Sequence, residues 1–351
     1  INVGTCQYEH LFNVKTMQRS NGMTGSIMRW LLIAPLLAAT LISTFPARAV
    51  ETSVDIPFTV VTTTSQVADL VRTVAGDRAS VTGLMGEGVD PHTYKLTRSD
   101  VAKLAAADIL FYSGLLLEGK ITDPLVRVGG SGKPVHAVAD LVDPSLLLTP
   151  PGFDGNPDPH VWMDVSLWTK ALNGVRDRLI EFDPAGADRY RANAAGYAET
   201  LARLDSYARD VLAGIPERSR VLVTAHDAFN YLGRAYGLEV RGIQGISTES
   251  EAGLREIEGL VDLLVDRKIG AVFVETSVSE RNIRALIDGA AARGHQVRIG
   301  GSLYSDAMGA PGTYEGTYVG MIDHNVTTIA EALGGNPPAQ GFEGRLTALA
   351  R

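Results

Sequence analysis

One cysteine occurs in the 351 residues, Cys6, and it stands ahead of everything that reads as a folded domain. Disulfides and thiolate metal ligands are therefore excluded from the rest of the chain. Aromatic residues are sparse at 7%, and Lys and Arg (32) are outnumbered by Asp and Glu (40), for a formal net charge of −8. A nucleic-acid partner wants a basic face, so none is expected. The chain carries no HExxH, no nucleophile elbow and no phosphate-cradling glycine loop. The apolar run Leu31 to Ile42 is too short to span a bilayer and is broken by Pro35.

That run has another reading. Met28-Arg29-Trp30 precedes it and Ala47-Arg48-Ala49 follows it. A basic start, a short apolar stretch and small residues at a cleavage point describe a secretory signal peptide, which outweighs the rival reading of an uncleaved anchor. Mature protein is expected to begin near Val50, with residues 1–49 forming an upstream segment and the signal. Residues 1–27 are either a misplaced start or an extended basic region. No cysteine follows the run to accept a lipid, so a free periplasmic protein is expected rather than a lipoprotein.

What remains has an ordinary globular balance, 45% hydrophobic and 21% charged, and is long enough for two domains. Phe58 to Thr64 is a β-branched run that reads as a strand, with Ser65 capping a helix over Gln66 to Ala75. Further strands are expected at Ser80–Met85, Asp108–Gly114 and Pro134–Val138, with a helix started by Thr97 and Asp100. Residues 146–159 are rich in proline and glycine and read as a loop. From Pro184 to Ala213, Tyr190, Ala194, Tyr197, Leu201, Leu204 and Tyr207 recur at spacings of three and four, the signature of one long amphipathic helix. The alternation then resumes. Strands are expected at Val221–Ala225, Val240–Ile246, Gly270–Glu275 and Val297–Gly300, and helices at Glu251–Lys268, Arg281–Arg293 and Tyr318–Leu333. Strands alternating with helices imply mostly parallel sheets. The fold class is α/β, with two β/α lobes at 50–183 and 216–351 joined by one long helix at 184–215.

Seven histidines are present, and three stand out. Asp90-Pro91-His92 and Asp158-Pro159-His160 repeat one tripeptide, and Thr224-Ala225-His226-Asp227 closes a strand. In open parallel sheets, ligands bind beyond the carboxyl ends of the strands. His92 follows a strand of the first lobe and His160 lies in its closing loop. His226 ends the first strand of the second lobe, and Asp306 follows its last. Two candidates from each lobe place the site in the cleft between them. Three imidazoles and a carboxylate make a complete shell for one divalent first-row ion, Zn(II) or Mn(II), tetrahedral or five-coordinate if Asp306 is bidentate.

Each neighbouring residue has a plainer role to set beside a functional one. His10, His136, His295 and His324 read as ordinary surface or core histidines. Asp90 reads as a turn residue before proline; Asp158 is either that or a partner fixing the His160 tautomer. Asp164 and Asp227 read as helix N-terminal residues, and Trp162 as packing against the site wall. Glu249, Glu251 and Glu275 lie near strand ends of the second lobe. Glu275 is placed equally well as a hydrogen-bond partner of a ligand or as a structural acid.

Five ordered stretches resemble the metal-binding solute-binding proteins of manganese/zinc ABC transporters, the TroA-like family. They are Gly88-Val89-Asp90-Pro91-His92-Thr93-Tyr94, Asp158 to Asp164, Val223 to Phe229 with Tyr236-Gly237, Val272 to Ser277, and Gly300 to Gly309. The resemblance covers nearly all of the chain after Val50. It implies His92, His160, His226 and Asp306 as ligands, a rigid interdomain helix that limits lobe movement, and capture of a divalent ion for an ABC-transporter permease. A monomer is expected. Residues 141–157 lack the histidine-rich loop of dedicated zinc members, and His226 stands where many manganese members have glutamate. A three-histidine site that accepts both ions is the expectation. The alternative is a zinc-dependent hydrolase or hydratase, with Asp306 off the metal acting as a general base.

Overall fold

The computed structural model describes residues 58–346, so Cys6, His10, the apolar run and the expected start near Val50 lie outside the described residues. β1 (Phe58–Thr62) turns its last three residues into the core. It is flanked in parallel by β2 (Ala79–Gly83) and β3 (Ile109–Tyr112), and β3 pairs with β4 (Val135–Ala137), in the order β2-β1-β3-β4. The connections run through α1 (Ser65–Ala75), α2 (Arg98–Ala106) and α3 (Thr122–Gly130). α2 opens with a full capping box, Thr97 and Asp100 each accepting the other's backbone N–H.

The cap of α1 differs from expectation. Thr64, not Ser65, holds the extended cap conformation, and its Oγ1 faces Val67 N at 3.5 Å. Ser65 is already helical, and its Oγ accepts the Met308 N–H at 3.0 Å. The sequence offered two adjacent hydroxyls, and a long-range partner decided between them. α3 was not anticipated at all, because its paired glycines and Pro124 dilute the helical pattern.

α4 (Val165–Phe182) leads through a 3-10 turn at Pro184–Gly186 into α5 (Ala187–Ala213), the long helix, which starts three residues inside its expected range. Tyr190, Ala194, Leu201, Leu204, Ala208 and Leu212 are buried along one stripe. Two half-buried tyrosines tie its flanks: Tyr197 Oη donates to Asp69 Oδ2 (3.3 Å) on α1, and Tyr207 Oη lies 2.9 Å from Thr327 Oγ1 near the far end of the chain.

The second half comprises β5 (Val221–His226), α6 (Asn230–Tyr236), β6 (Glu239–Gln244), α7 (Leu254–Arg267), β7 (Ala271–Glu275), α8 (Arg281–Ala292), β8 (Arg298–Leu303) and α9 (Tyr318–Ala332). β5 pairs with β6 and β7 with β8, all parallel, and β5 packs beside β7. α7 begins three residues later than expected, since the segment before it reaches across to the other lobe. A bulge at Gly300 shifts the β7–β8 register, setting Glu275 opposite Leu303. Gly242 on β6 is required by close approach: a Cβ there would stand 2.5 Å from Asp227 N, where the chain turns away after His226.

The largest core does not respect the lobes. It runs unbroken from Val60 and Leu70 through Trp168, Leu201 and Leu204 to Tyr318 and Ile329. Smaller cores lie under α7 and α8, around Val223, Leu264, Val272 and Leu286, and under α2 and α3, around Val61, Leu104 and Leu125. Among the described residues no helix is long and apolar enough to cross a membrane. Leu204 is 0% exposed in the shared core. Leu204→Ala is expected to destabilise the fold by about 2–5 kcal/mol, read by urea unfolding with a chelator present; a change under 1 kcal/mol would contradict the continuity of that core.

Candidate metal centre

Four side chains converge beyond the carboxyl ends of the parallel strands of the two lobes. The loop after β2 carries His92, the loop before a 3-10 turn (Val161–Met163) carries His160, β5 ends on His226, and the loop after β8 carries Asp306. One ligand-type atom from each lies within 4.8 Å of every other, and all four residues are buried. His160 Nε2 is 3.3 Å from Asp306 Oδ1, while His226 Nε2 and His92 Nε2 are 3.2 and 3.8 Å from Oδ2. Ligands about 2.1 Å from a tetrahedral ion would stand about 3.4 Å apart, so these contacts straddle that edge.

The same atoms are poor hydrogen-bond partners for one another. His92, His160 and His226 Nε2 and both Asp306 oxygens are buried without a single well-aligned hydrogen bond. An unsatisfied buried polar atom costs roughly 1–3 kcal/mol, so five facing one point demand a common partner. A divalent cation satisfies all five at once.

The two Asp-Pro-His tripeptides build the same turn. Asp90 Oδ1 accepts the His92 N–H at 2.9 Å, and Asp158 Oδ1 accepts the His160 N–H at 3.0 Å. Only Asp158 goes further, reaching His160 Nδ1 at 2.7 Å, which leaves Nε2 aimed at the site. This settles what the tripeptide alone left open: Asp158 is a turn residue and an imidazole orienter together. Glu275 does the same for His226, accepting its backbone N–H at 2.8 Å on Oε1 and facing its Nδ1 at 2.5 Å with Oε2. The adjacency of β5 and β7 creates that pair, which no local sequence signal could show.

The Asp306 loop is held from the first lobe. Ser305 O accepts Trp162 Nε1–H at 3.0 Å and Gln66 Nε2–H at 3.3 Å, and the Trp162 ring lies edge-on to His160 at 5.3 Å. Trp162 therefore packs on the site wall and also pins the loop carrying the carboxylate. Gln66, fully buried, escaped notice in the sequence because it stands inside an amphipathic helix pattern.

The other expected residues fall away from the ion position. Asp164 is the N-cap of α4, accepting from Ser166 N and Leu167 N. Asp227 lies just ahead of α6, which begins at Asn230 with Phe229 before it. Burial raises the Asp227 carboxyl pKa, with Asn230 opposing. Glu249 pairs with Lys120 across the cleft at 3.0 Å, and Glu251 is exposed. His295 and His324 each place Nε2 against a backbone carbonyl, at 2.7 and 2.9 Å, and His136 packs near Phe111.

The electrostatics separate the imidazoles. Burial lowers the His92 pKa to about 4 against the pull of Asp306. Burial also opposes charge on His160, but Asp158 and then Asp306 outweigh it and raise its pKa to about 9. For His226, burial is outweighed by Glu275 and Asp306, which raise it well above the ordinary value. Asp306 resists its own burial through His226 and His160 and stays ionised.

This two-lobed β/α architecture with a buried cluster of three imidazoles and a carboxylate defines a binding protein built around a cation. The sequence profile of the ZnuA family, zinc-uptake complex component A, periplasmic, matches residues 60–332, and the chain belongs to this family. It is 49% identical over 303 residues to the manganese-binding lipoprotein MntA of Bacillus subtilis (strain 168), covering 85% of this chain and 98% of that protein. It is 44% identical over 274 residues to the zinc-binding protein TroA of Treponema pallidum (strain Nichols), covering 78% and 88%. It is also 32% identical over 281 residues to the metal ABC transporter substrate-binding lipoprotein FimA of Streptococcus parasanguinis, again covering 78% and 88%. The solved structure of the periplasmic zinc-binding protein TroA from Treponema pallidum superposes with a TM-score of 0.76, covering 79% of this chain and 99% of that one.

A cation displaces the protons that sit on ligand nitrogens. At pH 7 His92 is already neutral, while the raised values leave His160 and His226 protonated in the ion-free protein. Zn(II) binding at pH 7 is therefore expected to release about two protons, and affinity to climb as pH rises toward about 9. Calorimetry in buffers of different ionisation heats reads the release; identical heats in all buffers would contradict it.

Proposed function

We propose that this protein captures one divalent transition-metal ion, Zn(II) or Mn(II), outside the cytoplasm and delivers it to the membrane permease of an ABC transporter. The observation that carries the reading is the set of five buried, unsatisfied polar atoms from His92, His160, His226 and Asp306 around one point. The names of the relatives agree with it: MntA is manganese-binding, TroA zinc-binding, and FimA a metal ABC transporter substrate-binding protein. The four residues act as the ligands, with Asp158 and Glu275 orienting two of the imidazoles. The lobes are residues 50–183 and 216–351, and the 184–215 segment, with α5 packed on α1, α4 and α9, restrains their movement. The protein acts as a monomer.

The hydrolase alternative needs Asp306 free of the ion as a general base. Both Asp306 oxygens instead face imidazole nitrogens at 3.2–3.8 Å, which sets the carboxylate among the candidate ligands and not apart from them. The protein is a binding protein and not an enzyme. MntA and FimA are named lipoproteins. Here the apolar run is followed by Ala47-Arg48-Ala49 with no cysteine near it, which supports a free periplasmic form.

His226→Ala is expected to weaken Zn(II) and Mn(II) binding by orders of magnitude while the fold persists; unchanged calorimetric titrations would sink the ligand assignment. Imidazole-rich sites follow the Irving–Williams order, so Zn(II) is expected to outcompete equimolar Mn(II) in purified protein. Elemental analysis after mixed loading decides this, and a manganese excess would overturn the ranking.

A further inference from the structure

Side chains of the second lobe touch both Asp-Pro-His turns, and at the Asp158 turn Tyr231 Oη donates to the Asp158 carbonyl at 2.9 Å. Asn230 Nδ2 donates to Asp158 Oδ2 at 3.1 Å, and Thr248 Oγ1 donates to Asp90 Oδ2 at 2.6 Å. The consequences differ. His160 is anchored by its ring through Asp158 Oδ1, and His226 by its ring through Glu275. Among the described residues His92 has no such carboxylate on Nδ1; what holds it is its backbone N–H on Asp90 Oδ1. The Asp90 carboxylate thus carries His92 on one oxygen, and Thr93 Oγ1 (3.0 Å) and Thr248 on the other.

Thr248 lies in the segment between β6 and α7 that crosses the cleft. Gln244 Nε2 braces this segment by donating to Ser250 O at 2.9 Å, and Lys120 meets the next residue, Glu249, at 3.0 Å. The His92 loop also runs close to the second lobe at Gly88, where φ is +68° and a Cβ would stand 3.4 Å from Thr276 O. His92 is therefore the ligand whose placement depends on the lobes being together.

Resting on the metal-binding reading above, we infer that Thr248 is a positioning residue for ion retention: its hydroxyl fixes the Asp90 carboxylate and, through it, the His92 imidazole. Withdrawal of the crossing segment frees the Asp90 turn, and His92 leaves the ion first, while His160 and His226 stay held by their own carboxylates. Release is then a stepwise loss that starts on the first lobe, under the control of a second-lobe hydroxyl that never touches the ion.

The test is stopped-flow transfer of Zn(II) from the full chain to an excess of chelator. Thr248→Val keeps the shape and removes the donor, and a hydrogen bond to a carboxylate corresponds to roughly ten- to hundredfold in rate. Expected are a release rate raised by that factor in Thr248→Val, a near wild-type rate in Thr248→Ser, and a near wild-type rate in Lys120→Met, which breaks the neighbouring cross-cleft ion pair without touching Asp90. An unchanged Thr248→Val rate overturns the inference, as does a Thr248→Ser rate equal to that of Thr248→Val. So does equal acceleration by Lys120→Met, since any loosened lobe contact would then suffice. Wild-type protein that takes up no Zn(II) would overturn the functional reading itself, an outcome distinct from normal uptake with an unaltered variant rate.

Discussion

Five polar atoms buried around one point, none with an aligned hydrogen bond, make an electrostatic problem that the surrounding structure exists to contain. Asp306 is buried among three imidazoles, and His226 and His160 hold its carboxyl well below the usual carboxylate range against that burial. Holding such a group in place takes rigid support. Asp158 and Glu275 fix two rings, Trp162 and Gln66 fix the Ser305 carbonyl beside Asp306, and Ser65 fixes Met308 just beyond it. Ligand geometry set in advance lowers the ordering cost of binding.

That support reaches across the cleft, and so does the core beneath it. The apolar cluster through Trp168, Leu204 and Tyr318 is continuous from one lobe to the other, with α5 inside it. A hinge swinging the lobes wide apart would tear this cluster and expose its side chains, at about 25 cal/mol for each Å² uncovered. Movements confined to loops above the core, such as the crossing segment before α7, expose far less. The architecture therefore favours small rearrangements near the ion over large domain closure.

Much of this was legible in the sequence because local chemistry and global placement agree. The β-branched run ending at His226 is a strand because its residues suit one, and parallel strands deliver their last residues to a shared edge. The repeated Asp-Pro-His turns and the long helical stripe were readable for the same local reasons. What escaped was decided by distant partners. Thr64 rather than Ser65 caps α1 because Ser65 serves Met308, and Glu275 meets His226 only because β5 and β7 are neighbours. Thr248 carries no motif at all, and its role is visible only once the crossing segment is seen against Asp90.

Trp162 gives the molecule a built-in optical sensor. Its indole N–H is bonded to the carbonyl immediately before Asp306, and its ring lies against His160. The other tryptophan among the described residues, Trp168, is sealed against Tyr318 in the core, with ring centroids 5.7 Å apart. Indole emission shifts with the polarity and hydrogen bonding of its surroundings. Motion of the carboxylate loop acts directly on the Trp162 indole, so events at the site can be followed in unlabelled protein.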